Sequence, residues 1–297
     1  MQTKLSGDRV IRLQLGGGMA RVMFLETTRM TQECANLHCA TPVCAAALGR
    51  LMTGTAMLGL MMKGDNDAVT VTFKGGGPMG SLVAVAHHGQ VKATADNPQV
   101  ELPLREDGKL NVGAAVGRNG RMTVIKDLGL REPYIGQSEI VSGEIAIDFA
   151  NYFVRSEQQP SLVALGVLVG EGTAILKAGG LLIQPLPGCP DELIDQLELR
   201  SPMFADISRE LAAAPMEELL DGWFRGLEPE ILEEAPLAWF CDCSRERMEK
   251  ALISLGKKEL QSLIDEDNGA ELSCHFCHKH YAFTTQALSE LMEQATH

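Results

Sequence analysis

Four cysteines in the last quarter of the chain carry its clearest chemistry: Cys241-Asp242-Cys243, thirty intervening residues, then Cys274-His275-Phe276-Cys277. Two close pairs at a separation one small domain can span form a zinc-ligand pattern, and four thiolates fill a tetrahedron with no position left for substrate. The spacing therefore points to one Zn2+ per chain held by Cys241, Cys243, Cys274 and Cys277, in a structural or regulatory role rather than a hydrolytic one. So many charged neighbours argue against four unrelated core thiols. His275, His278 and His280 crowd the second pair, but the tetrahedron is already full, and they are expected at the surface of the turn.

The first pair is the unusual half, because Cys-x-Cys leaves a single residue between ligands. A disulfide inside it would close a very small ring, and strained, exposed disulfides are the labile, regulatory kind. Arg245, Arg247 and Lys250 follow directly and are expected to offset the net charge of about −2 that four thiolates leave on a zinc ion. Oxidation of either pair removes two ligands and should release the metal. In a unit of this size metal binding is folding energy, so loss of the ion should unfold it. The residues thus describe a thiol switch as well as a staple.

Other chemistry-bearing residues are weaker candidates. Cys34, Cys39 and Cys44 recur every five residues, which on a helix scatters them over different faces, and Pro42 interrupts any such helix. They read as core or boundary thiols, and Cys189 as incidental. Gly75-Gly76-Gly77 lacks the spacing of a phosphate loop and reads as a turn. His87-His88 has no nucleophile elbow beside it. No enzymatic activity is expected.

Composition and charge narrow the classes further. The net charge is −13 and 45% of the 297 residues are hydrophobic, enough for a sizeable core. Residues 1–190 carry 17 basic and 16 acidic side chains, residues 191–238 carry 3 and 13, and residues 239–297 carry 6 and 10. That sign is wrong for nucleic-acid binding. No apolar run is long enough for a membrane span. Met1–Asp8 lacks a secretory pattern, so a cytoplasmic location is expected, where eight cysteines are kept reduced rather than paired structurally.

Three units must position these residues. The first, residues 1–184, is expected to be an α+β domain, with strands at Arg9–Leu15 and Ala20–Leu25 about Gly16-Gly17-Gly18. Further strands are expected at Ala68–Phe73, Ser81–Ala86, Gln90–Ala95 and Met122–Asp127, and a hairpin of Leu162–Val169 with Thr173–Ile183. Val43–Met62 reads as a buried helix starting after Pro42, and Gly143–Phe153 as an amphipathic one. The run Gln184-Pro185-Leu186-Pro187-Gly188-Cys189-Pro190 breaks the pattern and marks a boundary. Residues 185–238 then read as an all-α acidic linker with short helices at Asp191–Leu199, Ser208–Leu220 and Pro229–Leu237. Each is too short to stand alone, and the excess negative charge weakens them further, so this is a segment that can detach. The third unit, residues 239–297, is a small zinc-binding domain. It has a helix from Ser244 to Leu255 stopped at Gly256, a second helix at Lys257–Asp265, a hairpin around the second cysteine pair and a last helix from Thr285. Fewer than 60 residues make a thin core that needs a staple.

With these features the chain resembles the 33-kilodalton heat-shock chaperonin family, redox-regulated holdases of the bacterial cytoplasm. The resemblance rests on both cysteine pairs, on Phe240-Cys241-Asp242-Cys243-Ser244-Arg245-Glu246-Arg247, on Leu255-Gly256-Lys257-Lys258-Glu259-Leu260, on residues Tyr152 to Ser161, and on Gly179-Gly180-Leu181-Leu182-Ile183-Gln184. It spans all three units, and His278 departs from the small polar residue frequent among relatives. It implies an ATP-independent chaperone, inactive when reduced and zinc-bound, and activated by Cys241–Cys243 and Cys274–Cys277 disulfides with zinc release. The partners it implies are thermally unfolding or oxidatively damaged client proteins and, when active, a second copy of the chain. A thiol-disulfide oxidoreductase using Cys274 and Cys277 is the alternative. It would need a thioredoxin-like βαβ setting that the hairpin pattern does not offer.

Overall fold

Strand β1 (Arg9–Leu15) turns at three successive glycines with φ of 57°, 65° and 93° into β2 (Ala20–Glu26), a conformation that L side chains resist. The structure, a computed structural model, describes residues 7–294. It divides the chain into two compact units, Met1–Phe240 and Cys241–His297.

In the first unit the chain continues through helices α1 (Thr28–Leu37) and α2 (Pro42–Gly59), then strands β3 (Ala68–Lys74), β4 (Ser81–His87) and β5 (Gln90–Ala95). Next come a short helix α3 (Val112–Val116), β6 (Arg121–Asp127), β7 (Tyr134–Glu139), helix α4 (Ile145–Arg155), and the long hairpin β8 (Leu162–Val169) and β9 (Ile175–Pro185). The β4–β5 hairpin turns through His88 and Gly89, whose φ values of 46° and 77° are the left-handed pair such a two-residue loop demands. Pro42 opens α2, and nearly every residue of that helix is buried, as its apolar run predicts. It packs against strands of both sheets, and the helix must come close: a Cβ on Gly54 would stand 2.6 Å from the Phe149 ring.

After β9 come helices α5 (Asp191–Arg200), α6 (Ile207–Ala213) and α7 (Met216–Trp223), with a 3-10 turn at Ser201–Phe204. The helical pattern over 208–220 is split in two at Pro215, which cannot continue a helix. A larger difference lies at 229–237. Residues there form a strand, β10 (Glu230–Pro236), and not the helix expected of an all-α linker. Glu228 is left-handed (φ 51°) and Pro229 follows, so no helix can start from α7, and the free edge of β1 captures the segment antiparallel. Tertiary context overrides the helix preference of Glu, Leu and Ala. A two-residue strand, β11 (Ala238–Trp239), then pairs in parallel with β5.

Two sheets result, ordered β10-β1-β2-β9-β8 and β11-β5-β4-β3-β6-β7. One face of the five-stranded sheet closes the core around α2. Its other face, including Ile11, Leu13, Val22, Phe24, Leu181 and Ile183, is roofed by α5, α6 and α7. Trp223 is the keystone of that roof, 3% exposed, with ring centroids 5.1 Å from Phe24 and 5.2 Å from Phe204. The second unit holds α8 (Arg245–Leu255), α9 (Lys257–Asp265), the hairpin β12 (Gly269–Ser273) and β13 (His280–Thr284), and α10 (Thr285–Gln294). Its buried apolar core is small: Leu252, Leu260, Tyr281, Phe283, Leu288 and Leu291. Among the described residues no helix is long and apolar enough to cross a membrane.

Truncating the keystone should loosen the roof and leave the sheet intact. Trp223→Ala is expected to cost about 3–5 kcal/mol. In timed trypsinolysis, cleavage after Arg200, Arg209 and Arg225 should accelerate while the strands survive; an unchanged cleavage pattern would show that the roof does not depend on this contact.

Candidate metal centre

Two local structures bring the four sulfurs together. Cys241 and Cys243 lie in the extended segment just before α8, whose start is fixed by Ser244: its Oγ accepts from the Arg247 amide at 3.3 Å. Cys274 and Cys277 lie in the turn of the β12–β13 hairpin, directly after its last pair, Ser273 with His280. The turn is closed by the Cys274 amide donating to the Lys279 carbonyl (3.0 Å) and the His278 amide to the Cys274 carbonyl (2.8 Å), with His278 left-handed at φ 57°. The sequence pattern of a capped helix and a hairpin around the second pair is thus what positions the ligands.

The four Sγ atoms all lie within 4.8 Å of one another. Sulfurs about 2.3 Å from a shared ion stand roughly 3.8 Å apart in a tetrahedron. Sγ atoms of Cys241 and Cys274 stand 3.6 Å apart and those of Cys243 and Cys277 3.3 Å, contacts that run between the two pairs, and none of the eight cysteines is in a disulfide. The donor set is therefore closed, soft and of the right size for a metal ion. Among the described residues it is the one group of His, Cys, Asp or Glu side chains that could share one. None of the three neighbouring histidines joins it; His280 Nδ1 instead meets Glu271 at 2.7 Å and Ser273 at 3.0 Å.

A residue that the spacing argument did not single out supports the thiolate. The Tyr281 hydroxyl donates to Cys243 Sγ at 3.2 Å. Burial pushes the Cys243 thiol up, but that hydroxyl and the three neighbouring sulfurs together bring it below the ordinary cysteine range. Donation to Cys243 in turn pushes Tyr281 up to about 12, and burial pushes Cys277 up. The arginines behave differently from expectation. Arg247 pairs with Asp242 at 2.5 Å; Arg245 pairs with Glu249, donates to the Ala282 carbonyl and lies 4.2 Å from the Phe283 ring centroid. They brace the loop against α8 and β13, and their recorded partners are not the sulfurs. No sequence spacing announces Tyr281, since only the β12–β13 register carries its hydroxyl to Cys243.

The remaining cysteines lie apart from this cluster. Cys34 and Cys44 are buried; the Cys34 thiol is 3.6 Å from the Ala93 carbonyl, and burial pushes it up to about 12, so it is poorly reactive. Cys39 is exposed and Cys189 half-buried. These are the core and boundary thiols the pattern suggested.

Removing the hydroxyl while keeping the ring isolates its contribution. Tyr281→Phe should keep all four thiols and weaken metal affinity about tenfold, in the range of other outer-shell changes. Competition against a chromogenic chelator measures this, and unchanged affinity would remove Tyr281 from the account.

Comparison with known proteins agrees across the chain. The family model described as Hsp33 protein matches residues 8–284. A protein of Clostridium perfringens strain SM101 named 33 kDa chaperonin is 47% identical over 290 residues, covering 97% of this chain and 92% of that one. The protein of the same name from Bacillus subtilis strain 168 is also 47% identical over 290 residues, covering 97% and 99%. The crystal structure of the 33 kDa chaperonin of Thermotoga maritima superposes with a TM-score of 0.87 at 31% identity, covering 97% of this chain and 98% of that one.

Proposed function

The chain belongs to the Hsp33 family, and on that premise we propose that it is a redox-regulated, ATP-independent chaperone that holds unfolding proteins and prevents their aggregation. The observation that carries the regulatory half is the closed set Cys241, Cys243, Cys274 and Cys277 in a unit with so small a core. These four residues would hold one Zn2+. When bound, the ion ties the segment before α8 to the β12–β13 turn and keeps the sulfurs as thiolates.

The protein's own groups then account for the switch. Peroxide or hypochlorous acid is the oxidant. In each near pair, Cys241 with Cys243 and Cys274 with Cys277, two thiols lose two protons and two electrons to form one disulfide, while one peroxide is reduced to two waters. Sulfurs of different pairs touch across the cluster, and pairing within each near pair would break those contacts. With both disulfides formed no thiolate remains to bind an ion, and a core of six buried apolar side chains must hold the unit alone. Loosening passes through Phe240 into the acidic segment before it.

Residues 1–184, 185–238 and 239–297 act in this reading as client-binding core, releasable linker and redox latch. Release of α5–α7 would uncover the apolar face of the five-stranded sheet that they roof. The reading further assigns a cytoplasmic location, a dimeric active form, and partners that are unfolded or oxidatively damaged proteins rather than nucleic acid.

Treatment with peroxide at mildly raised temperature should release one zinc per chain and consume four thiols, leaving Cys34, Cys39, Cys44 and Cys189. Only the treated protein should suppress light scattering from a thermally unfolding client. Equal suppression by the reduced, metal-loaded protein would sink the regulatory half, and no suppression by either form would sink the chaperone assignment.

A further inference from the structure

The segment between the roof and the metal unit closes both sheets at once. β10 lies along β1 from Gln14 opposite Glu230 to Arg9 opposite Pro236, with the register slipping between Arg12 and Leu13. Two residues later β11 lies along β5, Ala238 opposite Gln90 and Trp239 opposite Val91. Each is the outermost strand of its sheet. Removing residues 230–239 would therefore turn β1 into an unpaired edge.

The two strands differ in what holds them. In β1, Val10, Ile11, Leu13 and Leu15 are at most 2% exposed and anchor the sheet in both cores. In β10 Ile231 and Leu232 are 58% and 59% exposed, and only Ala235, with Leu237 just beyond the strand, packs against the core around α2, so burial contributes little to the seat of residues 230–234. What remains is the main-chain ladder and a set of charge pairs. The Arg9 guanidinium joins Glu234 and, at 3.2 Å, Glu217 of α7; Arg12 joins Glu233 at 3.0 Å; Gln14 donates to Glu230. The Arg12 pair is exposed and holds the strand weakly, whereas the Arg9 guanidinium is itself buried and its pairs are the firmer part of the seat. The acids and Pro236 also blunt the outer edge of β10 against further pairing, protection that β1 itself lacks.

We propose that β10 is a built-in stand-in for client. In the activated protein the freed edge of β1 takes up an extended segment of an unfolded polypeptide as an antiparallel strand, in place of residues 230–236. Main-chain pairing tolerates many side chains, which suits a binder of diverse unfolded proteins, while Arg9 and Arg12 favour segments carrying acids. The edges at β7 and β8 have no strand beyond them in the closed form, so they do not account for binding gained on activation.

This inference rests on the holdase reading, and the test separates the two. The probe is a fluorescent peptide with the sequence of residues 229–237, offered to the full chain in reduced, metal-loaded and in peroxide-activated form. Two further copies are N-methylated at alternate amides, one in each phase. Anisotropy should show binding to the activated protein alone. One methylated phase should bind about tenfold more weakly and the other like the parent, because only alternate amides of an added strand face its neighbour. Hydrogen exchange should show the alternate Arg9–Leu15 amides that face β10 losing protection on activation and regaining it with client, while those facing β2 stay protected. The double variant Glu233→Lys/Glu234→Lys, altered only at exposed positions, should bind the peptide while still reduced. Activated protein that suppresses aggregation yet binds both methylated phases like the parent, or keeps the β10-facing amides of Arg9–Leu15 protected throughout, would overturn the inference and leave the holdase reading standing. Activated protein that suppresses no aggregation would overturn both.

Discussion

Four sulfurs held within 4.8 Å of one another are the constraint from which the rest follows. The unit that carries them buries six large apolar side chains, two of them, Tyr281 and Phe283, on the strand that leaves the metal turn. So thin a core cannot easily absorb the loss of its cross-link, because the ordering entropy of its residues is offset chiefly at the cluster. A staple made of thiols would, on the proposed reading, place the stability of the whole unit under the control of thiol oxidation. The Tyr281 hydroxyl on Cys243 tightens that dependence, since the group that shapes the core also shapes the ligand.

Upstream, the acidic segment is docked by two different kinds of interaction. Its helices are held by aromatic and aliphatic burial, with Trp223 between Phe24 and Phe204. Its strand β10 is held by main-chain pairing and by the Arg9 and Arg12 contacts, and Ala235, Leu237 and Trp239 tie the end of the segment to the core around α2. A disturbance entering at Phe240 would have to lift Trp239 and Leu237 before β10, and would reach the roof only after that. The segment's own charge, 3 basic against 13 acidic side chains, favours the released state once peeling begins.

Much of this was legible in the residues. Residues 9–15 and 81–86 read as strands, Pro42 and the Ala-rich run after it marked the buried helix, and Ser244 and Gly256 bounded α8 as capping chemistry requires. The four cysteines that cluster were those the spacing singled out. What the chain concealed depends on partners distant in sequence. Glu230–Pro236 is composed of helix formers, and only the free edge of β1, more than 200 residues earlier, makes it a strand. Tyr281 gained its place from hairpin register, and the arginines after Cys243 pair with Glu249 and Asp242. Local composition describes what a segment prefers; the edge it meets decides what it becomes.

The chain has two tryptophans, one in the acidic segment and one directly after it, which gives a direct readout. Trp223 sits in the roof, 3% exposed, and Trp239 sits in β11. In a Trp239→Phe protein, emission from Trp223 should shift to the red on peroxide treatment in step with zinc release, and return when reductant and zinc are restored. Zinc lost in full while Trp223 emission stays that of a buried indole would contradict the claim that the metal centre governs the linker.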